Sequence, residues 1–363
     1  MSPQVVAAII AGALTVIGTL AAQIYGRRVT GRDTEETLKA QGEQLDRTLA
    51  DQRQQLDRTF VEQRDQLDKT LTAQSDQLKQ TLAEQRTRTL NERFSTAADK
   101  LGADKPAAVR LAGVYAMAGL ADDWEENRQT CVDVLCGYLR MPYDPDPGEG
   151  KFRLVFLADR EVRHTVIRVI TAHLRDGAGP SWQGRNFDFT GVVFDGGDFR
   201  HAKFSGGRAD FDSAKFSGDE VTFGGAEFCG GTVSFGGAEF SGGDVNFGTA
   251  KFSGGEVHFK DAKFSGGEVD FAYATFSGGT ANFRYAEFSG GRVSFYGVEL
   301  SGGAVSFGPP MSPTISFFGA KFSGGAVFFS RGAGWSFPWT DTPPPGVKLP
   351  GKEDQSQAQG SAD

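Results

Sequence analysis

Residues 238–259 read AEFSGGDVNFGTAKFSGGEVHF. Phe falls at 240, 247, 252 and 259, in alternating steps of seven and five. Two places before each Phe stands Ala238, Val245, Ala250 or Val257. Residues two apart on a strand point the same way, so each of these pairs faces inward together. Glu239, Asn246, Lys251 and His258, between them, then face water. Ser-Gly-Gly separates the strand pieces, and Gly accepts the positive φ that a sharp corner demands. The unit is twelve residues long, and identical inward positions would stack from coil to coil into a ladder of Phe rings.

Working outward, the same register runs from Phe204 through Phe211, Phe216, Phe223 and onward to Phe295, then Leu300 and Phe307. Before it stand four five-residue units centred on Phe189, Phe194, Phe199 and Phe204. This five-residue period resembles the pentapeptide-repeat family. The resemblance implies that the central Phe and the residue two before it point inward, and that four units make one square turn of a right-handed β-helix. The twelve-residue unit departs from the family's strict period by two residues at one corner. Two units could make a four-sided coil of 24 residues, or one unit a flatter coil of 12. Each Phe is expected against the Phe one unit before and after it. The register breaks at Gly308-Pro309-Pro310-Met311-Ser312-Pro313 and resumes at Phe317, Phe322 and Phe329. Solenoids need covered ends. A helical domain is expected to cap one end and Trp335 to Trp339 the other.

Upstream, an eleven-residue repeat places Leu45, Leu56, Leu67 and Leu78 at one position and Leu49, Phe60, Leu71 and Leu82 four later. Thr48, Thr59, Thr70 and Thr81 fall between them, and Gln41, Gln52, Gln63, Gln74 and Gln85 recur on the same stripe. Eleven residues in three helical turns favour a straight or right-handed supercoil. The stripe is too narrow for one helix to bury, so self-association as a coiled coil is expected, with the Thr and Gln layers weakening the seam and fixing its register. Earlier still, Val5 to Tyr25 carries no charge, and at about 1.5 Å per residue it matches a bilayer core. No Lys or Arg precedes it, whereas Arg27, Arg28 and Arg32 follow. That asymmetry predicts an uncleaved single-pass anchor with its N-terminus out and the remaining chain cytoplasmic.

The expected domains are therefore 1–32, a transmembrane anchor (helix 5–25) with a basic flank; 33–93, the coiled-coil stalk; 94–180, a small all-α domain; 185–338, the β-solenoid; and 340–363, a disordered tail. Within 94–180, helices are expected after Pro106, near Arg128 to Arg140 (Val132, Leu135, Cys136 and Leu139 on one face) and near Glu161 to Arg175 (Val162, Val166, Ile167, Ile170 and Leu174). Small residues at Ala112, Gly113, Ala116 and Gly119 permit close helix packing. This segment also resembles the helical region that precedes the repeats in many actinobacterial pentapeptide-repeat proteins.

Composition bounds the function. The chain has 49 Gly and 31 Phe among 363 residues, unlike a disordered chain, which is poor in aromatics. Cys131, Cys136 and Cys229 lack framework or metal spacing and read as packing residues. His164 and His173 have no convergent ligands and read as structural. The sequence offers no phosphate loop, nucleophile elbow or metal cluster, so no catalytic, cofactor or metal residues are named and no enzyme activity is expected. Some family members mimic DNA to inhibit gyrase, using a strongly acidic rod. Here residues 185–331 carry 12 Lys or Arg against 16 Asp or Glu, a net −4, which gives weak support to that alternative. The favoured expectation is a membrane-tethered scaffold that associates with itself through the stalk and binds a protein partner, not nucleic acid.

Overall fold

The computed structural model describes residues 33–145, 151–308, 315–329, 343 and 347–348. The Val5–Tyr25 segment and the Trp335–Trp339 segment lie outside these residues. Among the described residues no helix is long and apolar enough to cross a membrane. The chain divides into two compact units, 1–85 and 86–363.

In the first unit the described residues form one helix, the larger part of α1 (Asp33–Lys100). The eleven-residue stripe is open to solvent: Leu67 is 58% and Leu78 60% exposed. The Thr hydroxyls turn back on their own helix. The hydroxyls of Thr48, Thr59, Thr70 and Thr81 donate to the carbonyls of Gln44, Gln55, Gln66 and Gln77 at 2.8–2.9 Å. Each hydroxyl is therefore satisfied inside its own helix, leaving a methyl for the stripe.

In the second unit, α1 runs past residue 93 to Lys100, and Leu90 and Ala97 join the core with Leu101. Next come α2 (Ala107–Asp123), α3 (Arg128–Arg140) and α4 (Lys151–Leu174). α4 begins ten residues before the expected Glu161. Its extra turns expose Leu154, Val155 and Leu157, so they lack the apolar periodicity that marked the rest. The anticipated apolar faces of α3 and α4 are buried. Gly113 is required for close packing, since a Cβ there would meet Lys100 and Leu101 at 3.0–3.1 Å; Gly119 has nothing within 4 Å.

From Phe187 the chain winds as a parallel β-solenoid. Phe252 pairs with Phe228 on one side and Phe276 on the other. The coil is thus 24 residues and four-sided. The first and last coils are shorter by two: Phe194 pairs with Phe216, and Leu300 with Phe322. In the first, the opening pentapeptide units lack the enlarged corner; in the last, the step from Phe307 to Phe317 is ten residues, two short of a full unit. Four Phe ladders result, one per face: the Phe204, Phe211, Phe216 and Phe223 ladders.

Rings stack face to face with the ring one coil away, not one twelve-residue unit away. Phe240 lies 4.7 Å from Phe264 with 1° between planes, and Phe259 4.6 Å from Phe283 with 2°. The Phe211 and Phe223 ladders also touch each other edge to face, as Phe247 and Phe259 do at 5.9 Å and 84°. Both geometries suit aromatic quadrupoles. These rings are almost wholly buried.

Two kinds of corner alternate. The wide Ser-Gly-Gly corners put the second Gly at positive φ, for example Gly255 at 70° and Gly279 at 67°. The tight corners have two residues, and the second adopts positive φ even where it is not Gly: His201, Ser213, Thr249, Asp261, Tyr273 and Tyr285 lie between 56° and 63°. A hydrogen bond closes each tight corner, as from Ala214 N to Phe211 O at 3.0 Å, the pattern of a type II turn. Within the tail expected to be disordered, Val347–Lys348 forms a short strand on Val327–Phe328.

Candidate interaction surfaces

A parallel solenoid leaves a row of carbonyls on its first coil with no earlier coil to bond. In the next coil the matching carbonyls of Asp210, Thr222 and Gly224 accept from Phe189, Phe199 and His201. The orphans of the first coil are taken up by the helical domain. Arg140 donates to Asp188 O at 2.8 Å, Arg163 to Val193 O at 2.9 Å, Thr171 to Asp198 O at 2.8 Å and Arg175 to Arg200 O at 3.0 Å. Gln129 both donates to and accepts from the backbone of Asn186. The helical domain therefore caps this end, as expected, and it blocks edge pairing with polar side chains.

Asp195 is the hub of that joint. It is 4% exposed and accepts from Tyr143 Oη at 2.6 Å and Arg160 Nε at 3.0 Å, with His164 Nε2 at 3.2 Å. Burial disfavours its charge, but the hydrogen bonds from His164 and Tyr143 and the nearby charges win, and its carboxyl sits below the usual range. Tyr143 is pushed far up, by burial first and then by Asp195, so it stays a donor. The Arg163 guanidinium lies 4.1 Å from the Tyr143 ring centroid. His173 joins Asp122 at 3.2 Å and stacks on Trp182 at 4.1 Å. Both His thus have structural partners. Tyr143 and the Arg residues carry no periodic signal in the sequence; the only mark of the Arg residues is a basic side chain flanking an apolar helix face.

A groove of about 600 Å³ lies beside the hub, between α4 and the Phe223 face. Its cations are engaged: Arg160 with Asp195 and Asp219, Arg168 with Glu161, and Arg200 with Asp198. Cys131 and Cys136 are buried, and burial pushes their thiols up to about 11 and about 12, fitting packing roles. Cys229 occupies a Ser position in a wide-corner column. Among the described residues no group of three or more His, Cys, Asp or Glu is placed to hold a metal ion.

The outward residues form axial columns. On the Phe204 face Lys203, Glu227 and Lys251 follow one another, with Glu227 3.7 Å from Lys203 and 2.8 Å from Lys251. On the Phe216 face the order is Lys215, Glu239, Lys263 and Glu287. Sign alternates along each column, so these two faces have no continuous acidic stripe. Among the described residues of the solenoid, the strongly exposed large apolar side chains are Tyr273, Tyr285, Tyr296, Phe318 and Phe328, all in its C-terminal part.

The class these features define is a capped β-solenoid repeat module with stacked Phe ladders, an architecture of protein interaction and consistent with the pentapeptide-repeat type. No known protein family, no curated protein and no solved structure matches the chain.

Proposed function

We propose that this protein is a membrane-tethered, non-catalytic scaffold of the pentapeptide-repeat kind that presents its capped rod to a protein partner in the cytoplasm. The observation that carries the reading is the cap. A solenoid whose first edge is closed by Arg140, Arg163, Thr171 and Arg175 cannot add a coil at that edge and keeps four stacked outward faces, suited to recognition rather than to polymerisation through that end. The exposed Leu stripe of α1 supports self-association, because one helix cannot bury it. The uncharged stretch Val5 to Tyr25 followed by Arg27 and Arg28 supports the anchor and its orientation. The alternating Lys and Glu columns weigh against the DNA-mimic alternative, which needs a broad acidic face.

Alkaline extraction and cross-linking of the full chain in cells test this. The chain should stay with membranes and cross-link to itself. Leu56→Asp with Leu67→Asp should abolish the cross-linked species and leave membrane retention intact. A wild-type chain that is extracted as a soluble monomer contradicts the proposal. A C-terminal reporter should be active on the cytoplasmic side.

A further inference from the structure

His173 lies in the last turn of α4, between Thr171 and Arg175, which hold carbonyls of the first coil. Both of its ring nitrogens face acceptors. Nδ1 is 2.7 Å from the Val169 carbonyl oxygen, and Nε2 is 3.2 Å from Asp122 Oδ2. A carbonyl oxygen only accepts, so Nδ1 carries a proton. Turning the ring over would put a carbon at that short distance, well inside the roughly 3.3–3.6 Å of a C–H···O contact, so the ring orientation is fixed. A bare Nε2 would aim its lone pair at the carboxylate. A neutral imidazole has one N–H, and these two acceptors require two. The surroundings favour the second proton. The C-terminus of α4 is the negative end of its dipole. The buried Trp182 ring stacks on the imidazole at 4.1 Å with 13° between planes, a contact that a cation strengthens. Trp182 Nε1 donates to the other Asp122 oxygen at 2.9 Å, which holds the carboxylate against the ring. The Trp182 amide donates to His173 O at 3.0 Å. The three side chains thus join α2, α4 and the segment that enters the solenoid.

We infer that His173 is an imidazolium clasp that makes the grip of the helical cap on the solenoid pH-dependent, tight on the acid side and looser as the clasp loses its second proton. Neutral His173 leaves either the Asp122 carboxylate or the Val169 carbonyl facing a lone pair. The last turn of α4 then loses its tie to α2, and with it the placement of Thr171 and Arg175 on the first-coil carbonyls. The sign follows from where the proton is held. The folded state binds it with two acceptors, so the clasp's stabilisation is complete at low pH and is lost as pH rises. The other charged groups around the site have partners. Arg93 of α1 pairs with Asp123 of α2 at 2.7 Å, and Arg128 of α3 donates to the carbonyls of Ala121 and Asp122. Beyond α4, Arg175 donates to Arg200 O and Asp176 pairs with Lys203. Carboxylates ordinarily titrate near 4, lysines near 10 and guanidinium groups above 12, so between pH 6 and 9 the imidazole is the group that changes charge.

The test is nitrogen NMR of the full-length chain labelled only at histidine, with His173→Gln identifying the His173 signals. At pH 7.5 a free imidazole is about nine-tenths neutral, yet both His173 nitrogens should read as protonated. One bare nitrogen at that pH overturns the inference. Asp122→Asn removes the carboxylate and should return His173 to a single N–H at pH 7.5; a ring still doubly protonated in that variant would also overturn it. Amide hydrogen exchange measures the consequence for the cap. Amides of residues 170–174 and of Trp182 should exchange at least tenfold faster in His173→Gln than in wild type at pH 6, and within about twofold of wild type at pH 9. Comparing the two chains at the same pH cancels the base catalysis of exchange. A ratio that stays constant from pH 6 to 9 would give His173 a packing role alone and overturn the clasp.

Discussion

Lys251 reaches back one coil to Glu227, with 2.8 Å between the ammonium and the carboxylate. Lys203 approaches the same carboxylate from the other side at 3.7 Å. Glu227→Lys would stack three cations in one column. Hydrogen exchange in strands 227–234 and 251–258 should then rise severalfold at low ionic strength. The effect should fade near 1 M salt, where the screening length is about 3 Å. A charge-swapped variant, Lys203→Glu with Glu227→Lys and Lys251→Glu, should recover wild-type exchange. Exchange unaffected by Glu227→Lys at low salt would contradict axial stacking of these columns.

The charge order along residues 203–263 encodes the coil length. It runs Lys203, Lys215, Glu227, Glu239, Lys251, Lys263. With a 12-residue coil Lys203 would stack on Lys215 and Glu227 on Glu239, like charge on like. With a 24-residue coil every such neighbour is opposite in sign. The Phe periodicity alone leaves the size open, because a step of either 12 or 24 residues brings Phe onto Phe. The inward Phe, Ala and Val positions are legible in the sequence because period two and a fixed side-chain type repeat many times. The tight corners are not, because their φ is imposed by the neighbouring coils rather than by residue type: Thr249 and Tyr273 turn where Gly225 and Gly297 turn elsewhere in the column. The Asp195 joint is also hidden, since Tyr143, Arg160 and His164 meet it only through tertiary packing.

The corners give a paired prediction. At Gly279 a Cβ would lie 2.3 Å from Gly255 O at φ 67°, so Gly279→Ala should cost about 1–3 kcal/mol or force the coils apart. Thr249→Gly relieves a positive φ on a β-branched residue, and should be neutral or stabilising by up to about 1 kcal/mol. Thermal denaturation of both variants checks this; equal destabilisation by the two would show that corner conformation is not the governing term.

Asp195 predicts an acid response. Its folded-state carboxyl is held below the ordinary range, with burial opposed by His164, Tyr143 and the neighbouring charges. The stability it contributes is therefore complete above the unfolded value of about 3.9 and is lost as pH falls through the lower, folded value. Asp195→Asn should cost about 2 kcal/mol at neutral pH, with a smaller deficit below pH 4. A deficit that does not shrink on acidification would mean that Asp195 acts through shape alone.

The central claim is that the C-terminal half is a solenoid with Phe inward and charge outward, and Phe252 with its neighbour Lys251 tests it most directly. Phe252 is 2% exposed and lies 4.5 Å from Phe276 and 4.9 Å from Phe228. Phe252→Ala removes a buried ring and leaves a cavity, a loss of about 3–5 kcal/mol. Lys251→Ala removes an exposed side chain and should stay within about 0.5 kcal/mol. Hydrogen exchange measured on the full chain should show amides of residues 227–276 opening more than a hundredfold faster in Phe252→Ala, and within a few fold of wild type in Lys251→Ala. Equal exchange in the two variants would contradict the inward ladder and the solenoid with it.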